Sequence, residues 1–383
     1  MRVPSHRPLV LTLAAVAALA ACAKKDAGAD SSTAATPSAD VLRAADSQRA
    51  GATRAPGDTL PPKADSQMQA VLDQLAALGG KPIETLSAPE ARRQPTPTDA
   101  VKALLKKNGR PTTPEPVARV ENRTIAGPGG SIPVRIYWPA GNGPFPMIVY
   151  YHGGGWVIAT IDTYDATPRA MVTQTNAVVI SVEYRKAPEH KFPAQHEDAM
   201  AAYRWALENA ASIKGDPKRV ALMGESAGGN LAVATAMAAR DAHVPMPVAV
   251  ASVYPIAGVD TMTESYVENA HAKPLSRSMM AWFLDKTING PADLQDPRLD
   301  LVGRANLAGL PPTTIVLDQI DPLRTEGQKL GDKLKSAGVS VNSKTWDGVT
   351  HEFFGMAAVL DKSKEAQAFV AADLNKAFGN PAK

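Results

Sequence analysis

The residues with the most chemistry to offer lie in Gly224-Glu225-Ser226-Ala227-Gly228, a G-x-S-x-G pattern. A short β-branched run precedes it and an Ala-rich helical stretch follows, the context in which a serine so spaced acts as a nucleophile. Such a turn is so sharp that side chains at the two glycines would clash, and it leaves Ser226 strained with its hydroxyl presented at a strand end. The serine also stands at a helix N-terminus, where N–H groups and the dipole favour developing negative charge. The competing reading is a plain strand-to-helix turn.

A serine needs a base, and the chain has seven histidines. In this arrangement the acid and then the histidine follow the nucleophile along the chain. His351, in Val349-Thr350-His351-Glu352, follows both the serine and a plausible acid-bearing strand end; a structural histidine is the alternative. Three carboxylates compete for the acid after the run 313–317, namely Asp318, Asp321 and Glu326. Asp321 is preferred, because Pro322 fixes a tight turn that suits a loop-apex residue. Its task would be to hold the imidazole tautomer and stabilise the imidazolium.

His152-Gly153-Gly154-Gly155-Trp156 follows another apolar run. Unobstructed glycine N–H groups can be aimed at a tetrahedral oxyanion, and the Ala227 N–H would complete the hole. The alternative is a Gly-rich turn serving flexibility; a phosphate loop is disfavoured because no Lys-Ser/Thr pair follows. His152 is expected to orient the loop. No H-x-x-x-H pair or carboxylate cluster suggests a metal.

The elements that must position these groups form an alternating series. Predicted strands are 119–125, 132–138, 147–151, 178–182, 220–223, 248–254, 313–317 and 341–346, with a hairpin at Pro128-Gly129-Gly130. Helical stretches at 165–175, 197–209, 227–240, 325–337 and 363–378 fall between or after them. Apolar strands alternating with helices imply an α/β fold with a mostly parallel sheet covered on both faces. The alternation lapses over 255–312, where Tyr266, Met279, Met280, Trp282 and Phe283 supply apolar material for a small helical cap.

The front third differs. None of the 5 Trp, 8 Tyr and 7 Phe occurs before Tyr137. Residues 1–21 read as an export signal, with Arg2, His6 and Arg7 ahead of an apolar run too short to span a bilayer comfortably. Residues 22–66 read as a flexible tether poor in packable side chains. A helix is then expected from Met68, with Val71, Leu72, Leu75, Ala76 and Leu78 on one face, ending at Gly79-Gly80. A second is expected over 98–107, opened by Thr98 or Asp99.

Composition narrows the classes. The 383 residues carry a net charge of +3, are 44% hydrophobic and include one Cys. That balance excludes collagen-like, coiled-coil and wholly disordered chains, and the charge is too weak to advertise nucleic acid. A lone Cys excludes an intramolecular disulfide and a Cys-based zinc cluster.

Two resemblances follow. Leu19-Ala20-Ala21-Cys22 resembles a bacterial lipobox, which implies cleavage before Cys22, its acylation and a lipid-anchored place in the cell envelope, with Ala23 favouring the outer membrane. From about Met68 onward the chain resembles the bacterial hormone-sensitive-lipase-like esterases, α/β-hydrolases. The carriers are Tyr151-His-Gly-Gly-Gly-Trp156, Tyr184-Arg185-Lys186-Ala187-Pro188-Glu189-His190 with Phe192-Pro193-Ala194, Gly224-Glu-Ser-Ala-Gly-Gly229 and Asp321-Pro-Leu-Arg324. The resemblance implies an α/β-hydrolase fold with an eight-stranded sheet and a Ser226–His351–Asp321 triad. It also implies an oxyanion hole from Gly153, Gly154 and Ala227, and hydrolysis of short- to medium-chain acyl esters without a cofactor. Residues 67–116 would cap a catalytic domain of 117–383, with 255–312 contributing. Deacetylation of a glycan or antibiotic, amide or lactone cleavage, and a non-catalytic envelope lipoprotein are the alternatives. Three positions depart from the family pattern: Glu225 for Asp or Thr, Thr325 for Asp, and Glu352 for Gly.

Overall fold

A computed structural model of the protein describes residues 62–380; the expected signal segment, Cys22 and most of the expected tether lie outside the described residues. Eight strands form a single sheet: β1 (Arg119–Gly127), β2 (Gly130–Trp138), β3 (Phe145–Tyr151), β4 (Val178–Val182), β5 (Gly215–Glu225), β6 (Val250–Val253), β7 (Thr313–Ile320) and β8 (Val341–Thr350). Their spatial order is β1-β2-β4-β3-β5-β6-β7-β8. β1 and β2 form the expected hairpin and β2 runs antiparallel to β4, while every other neighbouring pair is parallel.

The apolar runs owe their continuity to burial on both faces. Along β3, Met147, Val149 and Tyr151 enter one core, whereas Ile148 and Tyr150 enter the other. The first core is closed by α5 (Ala194–Glu208), α6 (Ala227–Asp241) and α9 (Arg324–Ser336). The second is closed by α4 (Ala166–Thr175) and α10 (Asp361–Phe378), with help from α1 (Ser66–Ala77) and α3 (Pro97–Lys107).

Several boundaries differ from the sequence reading. β5 begins at Gly215 rather than 220, because Phe145 pairs with Gly215 before a register shift that breaks the apolar pattern. β8 runs through Gly348 to Thr350, since Ile320 pairs with Thr350 beyond a second shift. Helix α3 is capped by Thr96, not Thr98 or Asp99. Pro97 takes the first helical position, and the Asp99 carboxylate accepts from the Thr96 amide at 2.9 Å. On α1 only Met68 and Val71 are fully buried, and Leu78 is exposed.

The front of the chain also holds a short helix, α2 (Ala88–Ala91), and the 255–312 stretch holds α7 (Glu264–Glu268) and α8 (Arg277–Thr287). The Trp282 indole of α8 donates to the Leu86 carbonyl at 3.2 Å, and Ser278 donates to Glu84 at 3.0 Å. Among the described residues no helix is long and apolar enough to cross a membrane.

Candidate active site

Ser226 sits between the last residue of β5 and the first of α6 with φ 57° and ψ −118°. That backbone is sparsely populated for a residue with a Cβ and persists only where the surroundings enforce it. The enforcement comes from packing. A Cβ on Gly224 would lie 2.1 Å from the Gly228 carbonyl oxygen, and one on Gly228 would lie 2.0 Å from that of Tyr151. Helix and strand approach so closely that only glycine fits at either side of the serine.

The Ser226 hydroxyl lies 3.0 Å from His351 Nε2, and His351 Nδ1 lies 2.7 Å from Asp321 Oδ2. The second oxygen of Asp321 accepts from the Leu323 amide at 2.9 Å, so the turn made by Pro322 fixes the carboxylate. With Nδ1–H given to Asp321, Nε2 is left to accept the serine proton. Burial pushes the imidazole pKa down, but the charge and hydrogen bond of Asp321, with Glu352 and Glu225 beyond, outweigh it and raise it overall. Of the three candidate acids only Asp321 touches the histidine. Glu326 instead accepts from the Ala257 amide at 2.8 Å, and Asp318 lies beside Asp321 without reaching the ring by a hydrogen bond.

The glycine loop lies alongside. A Cβ at Gly153 would meet the Tyr164 hydroxyl at 2.2 Å, Gly154 adopts φ 95°, and a Cβ there would meet the Ile158 carbonyl oxygen at 2.4 Å. The amides of Gly153 and Gly154 donate to no protein acceptor among the described residues. Ala227, the first residue of α6, likewise carries an N–H that no helical carbonyl can accept. These are free donors beside Ser226.

His152 is fully buried, with burial holding its pKa down at about 4, so the ring is neutral at ordinary pH. It stacks on Tyr184 at 4.4 Å, whose hydroxyl donates to the His152 carbonyl at 2.8 Å. The rest of that second motif also braces the loop. The Ala187 amide donates to the Trp156 carbonyl at 2.9 Å, and Arg185 binds Asp198 on α5. Arg92, just after α2, donates to the Val157 and Ala187 carbonyls, each at 2.8 Å, and pairs with both oxygens of Glu189, whose pKa it holds down at about 2. The sequence held no signal for this clamp, because its partners are separated by 65 to 97 residues.

Two departures from the family pattern become intelligible here. Glu225 is fully buried and accepts from Tyr150 at 2.5 Å and from Tyr254, while burial and the nearby Glu352 charge push its carboxyl up to about 7. Glu352 adopts φ 74°, a conformation that favours glycine, and accepts from the Tyr164 hydroxyl. Burial raises its pKa too.

Above Ser226 and His351 lies a cavity of about 550 Å³, within the range of small-molecule sites. Its walls are predominantly apolar, with Leu72, Leu75, Ile83, Leu275, Met280 and Phe283 coming from both helical segments, and polar groups such as Arg92, Lys186 and Glu352 also line it. Asp318, Asp321 and His351 bring three potential ligand atoms within 4.8 Å of one another, but both ring nitrogens are already engaged by protein groups.

Residues 148–355 match the family described as the α/β hydrolase fold. The chain is 40% identical over 275 residues to the carboxylesterase NlhH of Mycobacterium tuberculosis, covering 70% of this chain and 86% of that one. It is 29% identical over 293 residues to an ethyl acetate hydrolase of Pseudomonas putida, covering 76% and 90%. A hyperthermophilic esterase from the archaeon Pyrobaculum calidifontis superposes with a TM-score of 0.74 at 34% identity, covering 82% of this chain and 98% of that one.

Proposed function

The chain belongs to the α/β-hydrolase fold family, in its hormone-sensitive-lipase-like branch, and on that premise we propose that it is a serine carboxylesterase acting on short- to medium-chain acyl esters. The observation that carries this reading is the continuous contact Ser226–His351–Asp321 beneath an apolar cavity. Ser226 attacks the ester carbonyl while His351 Nε2 takes its proton, and Asp321 stabilises the imidazolium. The amides of Gly153, Gly154 and Ala227 receive the oxyanion. His351 then gives the proton to the departing alcohol, and water, activated by the same imidazole, releases the acid from Ser226. The apolar walls from Leu72, Leu75, Met280 and Phe283 suit acyl chains of modest length. The identities to a carboxylesterase and an ethyl acetate hydrolase support the same substrate class.

The test is hydrolysis of a p-nitrophenyl ester series from acetate upward by protein lacking residues 1–22. Ser226→Ala should lose several orders of magnitude in kcat, since the members of a triad act as a unit. Retention of most of the turnover would remove the reading.

We also propose attachment to the cell envelope through acylated Cys22, on the strength of Leu19-Ala20-Ala21-Cys22 and of its being the chain's only Cys. Mass spectrometry of the mature protein should find a diacylglyceryl-modified Cys22 at the N-terminus. An uncleaved, unmodified N-terminus would refute the anchor.

A further inference from the structure

Asp318 is a buried carboxyl beside the triad that the ester-hydrolysis steps do not use. It lies on β7, in register with Trp346 of β8, and its side chain is completely buried. Neither of its oxygens has a hydrogen-bond donor among the described residues. One ligand atom each of Asp318, Asp321 and His351 lies within 4.8 Å of the others. An ionised Asp318 would be a buried anion with no donor, placed against a second carboxylate. Two adjoining buried carboxyls do not both ionise, because each disfavours the charge of the other.

Asp321 has room for another donor. One oxygen accepts from His351 Nδ1 and the other from the Leu323 amide, while a carboxylate offers about four lone-pair sites. We propose that Asp318 is a protonated positioning residue that donates a hydrogen bond to Asp321 and so fixes the acid of the triad. The inference rests on the esterase reading, in which Asp321 orients His351. It turns one of the two unpartnered oxygens into a satisfied donor and leaves the other a neutral carbonyl, with a single negative charge shared by the carboxyl pair behind the imidazole. Burial and the Asp321 charge and hydrogen bond all hold the Asp318 proton in place well above the ordinary carboxyl range.

The titratable groups around Asp318 are Asp321, just past the end of its own strand, and His351 and Glu352 from the loop after β8, with the Tyr254 ring, just past β6, 4.6 Å from that of His351. No lysine or arginine pairs with it among the described residues. At alkaline pH loss of its proton would place a second anion beside Asp321. The two carboxylates would then repel, and His351 would lose its alignment.

The experiment compares Asp318→Asn and Asp318→Leu with the wild type and with Ser226→Ala. Asparagine keeps a neutral donor, so kcat near pH 7 should stay close to wild type while the alkaline limb of the pH profile attributable to Asp318 disappears. Leucine supplies no donor, so kcat should fall roughly ten- to a hundredfold, the worth of a hydrogen bond to a charged group, with KM little changed. Infrared spectra should show a protonated-carboxyl stretch that Asp318→Asn lacks, a readout independent of turnover and usable if the leucine variant fails to fold. An inactive Ser226→Ala together with an unchanged carboxyl band and an unchanged pH profile in Asp318→Asn would overturn the proposal and leave the esterase reading intact. An active Ser226→Ala would instead refute the esterase reading.

Discussion

Gly228 is where helix α6 and the sheet meet most closely, and its replacement tests the packing argument for the serine turn. A Cβ there would stand 2.0 Å from the Tyr151 carbonyl oxygen and 2.6 Å from that of His152. Both obstacles are backbone, one the last residue of β3 and the other the start of the glycine loop, so neither can rotate aside. Relief requires α6 to withdraw by about 1 Å, since contacts under 3.0 Å are essentially never observed for a real Cβ. Overpacking of this kind costs about 1–3 kcal/mol, and two backbone carbonyls that cannot rotate aside place Gly228→Ala at the upper end. At roughly 2–4 °C per kcal/mol for a domain somewhat smaller than this one, Tm should fall by about 5–10 °C. The same withdrawal carries Ser226 and the Ala227 amide away from the substrate carbonyl, and a displacement of about 1 Å can cost about a hundredfold in rate. The assay is a thermal melt beside kcat for p-nitrophenyl butyrate. Gly331→Ala, on α9, is the control: its nearest contact is Ile315 Cδ1 at 3.5 Å, and alanine gains about 1 kcal/mol of helix propensity. That variant should melt at or above the wild type with unchanged kcat. A Gly228→Ala protein with wild-type Tm and kcat would refute the reasoning.

Three further outcomes follow from the charges around the site. Glu352→Gln removes a carboxylate that raises the His351 pKa, so the acidic limb of kcat/KM should move to lower pH; a limb unmoved or shifted upward would contradict the assignment. Glu225 keeps its proton up to about pH 7 in the folded protein, whereas the unfolded chain loses it near 4.5, so the stability it contributes below about pH 4.5 is lost as pH rises to 7. The difference in melting temperature between Glu225→Gln and the wild type should therefore be more favourable to the variant at pH 8.5 than at pH 5, and an equal difference at both would count against it. Arg92→Ala removes the bonds to Val157, Ala187 and Glu189 that fasten the end of α2 to the glycine loop, and should raise KM and loosen proteolytic protection of residues 80–95 more than it changes the melt of the sheet.

What sequence could foretell depended on how far apart the interacting residues lie. Gly224, Ser226 and Gly228 are legible because strand, turn and helix are adjacent, and the glycine requirement is local. His351 and Asp321 were reachable through chain order, yet order could not separate Asp321 from Asp318 and Glu326. That choice depends on where β7 ends relative to β8, and their pairing carries a register shift between Asp318 and Ile320 that pattern does not reveal. The sequence reading places the start of α3 two to three residues late, at Thr98 or Asp99, whereas Thr96 caps it and Pro97 is its first residue, the position at which a missing N–H costs nothing. The strain at Glu352 was visible only as a non-glycine where the family has glycine; its φ of 74° needed coordinates. The Arg92 clamp left no trace in composition or periodicity, since it depends on contacts between distant segments, and Asp318 was legible only as a carboxylate competing for the acid, not as a buried neighbour of Asp321.

The first helix has a mechanical consequence. Asp65, which caps α1, also donates its amide to the Gly348 carbonyl at 2.8 Å, and its carboxylate pairs with the Lys362 ammonium at 2.8 Å. Gly348 lies three residues ahead of His351. Tension applied at the front of the described chain would therefore be delivered to the segment carrying the catalytic base, and the hydrogen bonds at Asp65 would bear the load before the sheet did. Any surface to which the protein is fastened by its front end would pull at that seam, and an active-site probe read out under force would respond before the fold came apart.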